Sequence, residues 1–121
     1  MDTRLKIQVR HEEGVSIATI AGEARFEIEL LEIELARLAE AHPAVVILDM
    51  TELVVLSSLG MGLIVSLRNA LKNHGGRLLA CGVRRDVLDA FKRARLEKIF
   101  EVYGTVEEAI RSVKGAEAGK V

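Results

Sequence analysis

Two adjacent hydroxyls, Ser57 and Ser58, with Asp49 upstream of them, are the groups whose type and spacing could do chemistry in this sequence. A serine becomes a nucleophile when a nearby base takes its proton, and a phosphate acceptor when a kinase supplies that base. The first route is poorly served. The surroundings do not read G-x-S-x-G, no general base stands close, and one carboxylate with two hydroxyls offers no positive charge to hold an intermediate. A small enzyme or ligand-binding protein built on Asp49 with Ser57 or Ser58 is the weaker reading, and no catalytic residue is assigned. The bland role of the serines is a helix cap, because they open an apolar stretch that turns helical. Unpaired amides and the helix dipole at such a start also favour an anion. A phosphate there would bring roughly −1.5 to −2 charge units to an apolar surface, enough to repel a partner.

Other chemistry is scarce. His11, His42 and His74 all read as turn residues, and none has a second ligand at metal spacing, so neither a metal nor a cofactor is expected. Leu59-Gly60-Met61-Gly62 lacks both the third glycine of a dinucleotide fingerprint and the lysine of a phosphate loop, which leaves close backbone packing as its meaning. Cys81 is the only cysteine and stands in an apolar run. It reads as a buried, inert thiol, excludes an internal disulfide and suits a reducing cytoplasm. With 17 basic against 18 acidic residues, no tryptophan and 3% aromatics, the chain has no nucleic-acid signature. The basic stretch Arg84, Arg85, Lys92, Arg93, Arg95 and Lys98 is diluted by Asp86 and Asp89 and reads as a solvated helix face. The opening MDTRLKIQVR lacks the apolar core of a signal peptide, and no run is long enough for direct membrane insertion.

The elements that must position Asp49 and the serines follow from periodicity. Leu5, Ile7 and Val9 alternate with charged or polar residues, His11-Glu12-Glu13-Gly14 interrupts, and Val15 to Ile20 resumes: a hairpin closing at Gly22. Ile28, Leu31, Leu35 and Leu38 recur at helical steps between Phe26 and Ala41, and His42-Pro43 ends that helix. Val45-Val46-Ile47-Leu48 is continuously apolar, as in a central strand covered on both faces, and ends in Asp49. Met50 to Leu56 reads as a connection, and Ser57 to Lys72 as a helix closed by Asn73-His74-Gly75-Gly76. A strand over Arg77 to Val83, a helix over Arg84 to Arg95, a short strand over Ile99 to Tyr103 and a helix capped by Thr105 with Glu108 complete the order. One domain over residues 1–113 is expected, with 114–121 as a flexible C-terminal tail.

The stretch VVILDMTELVVLSSLGMGLIVSLRNALKNHGGRLLACGVRRDVLDAFKRARLEKIFEVYGTVEEAI, Val45 to Ile110, resembles the STAS domain, the fold of anti-sigma factor antagonists. It is similar in its central strand, Asp-x-x-x-(apolar) connection, switch loop and helix, its G-G-x-L strand and its closing helices. The resemblance implies an α/β fold with a mixed sheet of four to five strands and about four helices. Family members of the switching kind bind an anti-sigma factor that is also a serine-protein kinase of histidine-kinase-like ATPase fold. That releases the sigma factor until the kinase phosphorylates a serine in a D-S-S-G-type loop.

Aligned without gaps from Asp49, Ser57 takes the loop aspartate's place, Ser58 the first serine's, Leu59 the usual phospho-acceptor's and Gly60 the glycine's. The implied role is a cytoplasmic anti-anti-sigma factor in bacterial signalling, regulating transcription by partner switching. Its partner surface would comprise Asp49, Val55, Leu56, Ser57, Ser58, Leu59, Gly60, Met61 and Gly62. Ser58 or Ser57 would accept phosphate in a shifted register if the protein is a phosphoprotein, whereas Leu59 itself suits constitutive binding. The alternative is the soluble STAS subunit of a lipid ABC transporter, which would bind an ATPase. Apolar edges also allow a homodimer.

Overall fold

The computed structural model describes residues 3–118, with side chains through residue 115. Its first two strands, β1 (Lys6–Glu12) and β2 (Val15–Ala24), form the expected antiparallel hairpin with Glu12 opposite Val15. Glu13 and Gly14 have φ of 53° and 82°, the positive values of a two-residue turn whose twist matches that of the strands it joins. This turn is tighter than the four-residue interruption expected. His11 therefore lies in β1, not in a turn, with Nδ1 3.0 Å from the Oγ of its cross-strand neighbour Ser16.

Helix α1 (Glu29–Glu40) leads to β3 (Val45–Asp49), which pairs in parallel with β2 on one side and with β5 (Arg77–Cys81) on the other. That central place explains its unbroken apolar run. Val46 and Leu48 face the cluster under α1, α2 (Ser58–Lys72) and α3 (Arg85–Arg93), whereas Val45 and Ile47 face α4 (Val106–Ala118) on the opposite side. Strand β6 (Glu101–Tyr103) extends the sheet beyond β5. There Arg77 Nη2 donates to Glu101 Oε2 at 2.7 Å, and the Tyr103 hydroxyl donates to Glu101 Oε1 at 2.9 Å. The Arg77 guanidinium holds the Glu101 carboxyl below the ordinary carboxylate range.

The connection expected between Met50 and Leu56 is corrected: it contains a strand, β4 (Leu53–Leu56), parallel to the end of β2. Leu53 and Leu56 are the buried residues, so the strand does not show the two-residue alternation by which strands are read. Its partner is also irregular, shifting register between Gly22 and Glu23. The mixed sheet thus has six strands and, with four helices among the described residues, the α/β architecture anticipated.

Helix α4 is capped as expected. The Glu108 N–H donates to Thr105 Oγ1 at 3.1 Å, and Glu108 Oε2 accepts the Gly104 N–H at 3.1 Å. Thr105→Ala is expected to cost about 1 kcal/mol in urea denaturation, whereas Thr105→Ser, which keeps the capping hydroxyl, should retain most of the stability. Helix α4 continues to Ala118, past residue 114 where the tail was expected to begin, and 119–121 lie outside the described residues.

Candidate functional site

Asp49 ends β3 on the exit side of the parallel strands, where loops carry function in open α/β sheets. Its carboxylate is taken up locally: Oδ1 accepts the Thr51 N–H at 3.1 Å and the Thr51 hydroxyl at 2.6 Å. That bond pair turns the chain from β3 into β4. Gly82, with φ +64°, packs directly beneath, and a Cβ there would lie 2.1 Å from Thr51 Oγ1. This close approach, which the sequence reading missed, fixes the turn; its signal in the sequence is only a glycine following the Arg77–Cys81 strand. Asp49 also borders Cys81, whose thiol is pushed up to about 12, first by burial and then by the Asp49 charge and hydrogen bond. Cys81 is fully buried. Native protein at pH 8 is expected to leave it unreacted toward a thiol-specific reagent, with stoichiometric labelling only in denaturant; rapid native labelling would contradict this burial.

Beyond β4, Ser57 caps α2. Its N–H donates to Ala24 O at 2.9 Å and its Oγ accepts the Gly60 N–H at 3.2 Å, so backbone and hydroxyl are both engaged. Ser58 is the exposed first residue of the helix. Leu59 follows at 66% exposure, unusual for a side chain of its size, and Val54 on β4 is 38% exposed. Of the other residues nominated from sequence, Val55 and Asp49 are half-buried and Gly62 is exposed. Leu56, Gly60 and Met61 point inward, Gly60 lying close against Leu56. The first turn of α2 carries no acidic side chain, so its surface combines an exposed leucine, a free hydroxyl face and an uncompensated positive helix end. Val54 lies on β4, within the segment read from sequence as a connection.

A family model described as STAS domain matches residues 6–109. The chain belongs to the STAS family. Comparison with curated proteins found no match. Among solved structures, this STAS domain is similar to an anti-sigma factor antagonist from Mycobacterium paratuberculosis, with TM-score 0.83 and 19% identity over 94% of this chain and 97% of that one. Unphosphorylated SpoIIAA, an anti-sigma factor antagonist also described as a Bacillus cell fate determinant, gives TM-score 0.78 and 22% identity over 91% and 97%. A sulfate transporter family protein from Wolinella succinogenes gives 0.74 and 23% over 85% and 87%. These likenesses establish a shared fold. No helix of the described residues is long and apolar enough to cross a membrane, and no described group of His, Cys, Asp and Glu could hold a metal ion.

Proposed function

We propose that this STAS domain is a regulatory, non-enzymatic binding module of the bacterial cytoplasm, an anti-sigma factor antagonist that docks on an anti-sigma factor of the serine-kinase type. One observation carries the reading: Leu59 projects from the start of α2 instead of packing inward. Burying a leucine side chain stabilises a complex by about 1.5–3 kcal/mol, and no benefit accrues while it faces water. Leucine at the position where the family carries its phospho-acceptor supplies apolar contact and no hydroxyl, which suits a constitutive antagonist. Ser57 is engaged as the cap, so Ser58 is the better-presented hydroxyl if the chain is phosphorylated in a shifted register. A second reading is the soluble STAS subunit of a lipid ABC transporter, binding its ATPase; the likeness to the Wolinella sulfate transporter family protein supports only that the fold also serves in a transporter protein.

The test is recovery of the tagged protein from its native host, with partners and phosphosites mapped by mass spectrometry. An anti-sigma kinase without phosphate on Ser57 or Ser58 under any growth condition is the expected result. Phosphate on Ser58 would establish a shifted-register switch, a transporter ATPase would select the second reading, and neither partner would refute the proposal.

A further inference from the structure

Strand β1 is outermost on its side of the sheet, with no described strand beyond it. Because the two-residue turn makes Glu12 and Val15 a hydrogen-bonded pair, Lys6, Gln8, Arg10 and Glu12 direct their backbone N–H and C=O groups toward β2. Ile7, Val9 and His11 direct theirs away from the sheet. The edge carries none of the usual protections of proline or a bulge: its register with β2 is unbroken from Lys6 to Glu12, and six of its seven residues are exposed.

We propose that this edge pairs antiparallel with β1 of a second copy about a two-fold axis at Val9, joining two sheets into one. In that register Val9 meets Val9, Ile7 meets His11, Gln8 meets Arg10, and Lys6 meets Glu12. The last is an opposite-charge pair that symmetry provides twice, and no like charges stand directly opposite. Neighbouring registers are worse. An axis at Gln8 sets Lys6 against Arg10, one at Ile7 sets Arg4 against Arg10, and one at Arg10 sets that residue against itself. The chosen axis also directs the outward groups of Ile7, Val9 and His11 at each other, so all three positions form ladder bonds.

The flank of the strand fits the same occupant. Val9 and His11 share a crevice with Glu34 and Arg37 of α1. Leu30, 41% exposed, lies on that same face of α1, and Ile33 beside it is 50% exposed. A formal net charge of −1 opposes association of two copies only weakly. The paired segment contains neither Val54 nor Leu59, so each copy keeps its partner surface, and failure of this interface would leave the proposed function untouched.

Light scattering and sedimentation of the full chain across a concentration series test the pairing. The expected result is reversible association to twice the 13.3 kDa subunit mass. Val9→Pro removes one outward N–H without touching a bond to β2 and is expected to weaken association about tenfold or more. Glu12→Lys should weaken it by placing lysine against Lys6, and the double variant K6E/E12K should restore it. In hydrogen exchange the amides of Ile7, Val9 and His11 should gain protection with concentration, while Gln8 and Arg10 stay protected throughout. A monomer at all concentrations, a dimer indifferent to both single variants, or a strand of another protein seated on β1 would overturn the proposal.

Discussion

Leu59→Asp is expected to weaken capture of the partner by about 10- to 100-fold, or roughly 1.4–2.7 kcal/mol, while leaving the fold intact. The side chain is 66% exposed in the free protein, so its apolar surface is removed from water only in a complex. An aspartate there would lose that contact and carry an unpaired charge into an apolar interface, as a phosphate does at a family phospho-acceptor. In the free chain the same carboxylate sits in the first turn of α2, where the helix dipole stabilises a negative charge by about 0.3–1 kcal/mol, and no acidic residue already occupies that turn. Stability should therefore hold or rise slightly. Titration calorimetry with the recovered partner and urea denaturation of the free domain separate the two effects. Unchanged affinity would remove Leu59 from the interface, and a stability loss above about 1 kcal/mol would show that it packs within the fold. Leu59→Met, similar in volume and apolar, should bind within a few-fold of wild type.

Gly82→Ala is expected to destabilise the domain by about 2–4 kcal/mol. The backbone conformation at φ +64° costs a residue with a Cβ roughly 1–2 kcal/mol by itself. The remainder is steric. The added carbon would lie 2.1 Å from Thr51 Oγ1, 3.0 Å from its Cβ and 3.1 Å from its Cα, so relief requires moving the backbone as well as the hydroxyl. Moving Thr51 breaks its 2.6 Å bond to Asp49 and loosens the turn that feeds β4 and the Ser57 cap. Combination with Thr51→Ala should be less than additive, because the second change removes the nearest clashing atom. A loss below about 0.5 kcal/mol for Gly82→Ala would mean that the turn yields freely and that β4 is held by its ladder with β2 alone.

Much of this architecture is written locally. The run Val45-Val46-Ile47-Leu48 demands cover on both faces, and the two separate clusters that it contacts supply it. The helical spacing of Leu31, Leu35 and Leu38, the Thr105 and Glu108 cap, and the buried Cys81 are likewise recoverable from residue type and spacing, because each depends on neighbours within a few positions. Resemblance over Val45 to Ile110 was enough to name the family, and the family match spans residues 6–109.

Other features required the tertiary structure, for a common reason: they depend on contacts between segments distant in sequence. Strand β4 exists because the end of β2 offers it a ladder, and its buried leucines, three positions apart, leave no strand signature. His11 belongs to a strand because a positive φ at Glu13 allows a two-residue turn that composition does not announce. The division of the nominated surface into exposed Ser58 and Leu59 and inward Leu56 and Met61 was decided by how the start of α2 settles on the sheet. The sequence by itself determined the class of fold; the packing of Gly82 on Thr51 and of β4 on β2 decided which side chains the start of α2 presents, since only long-range sterics select among locally equivalent conformations.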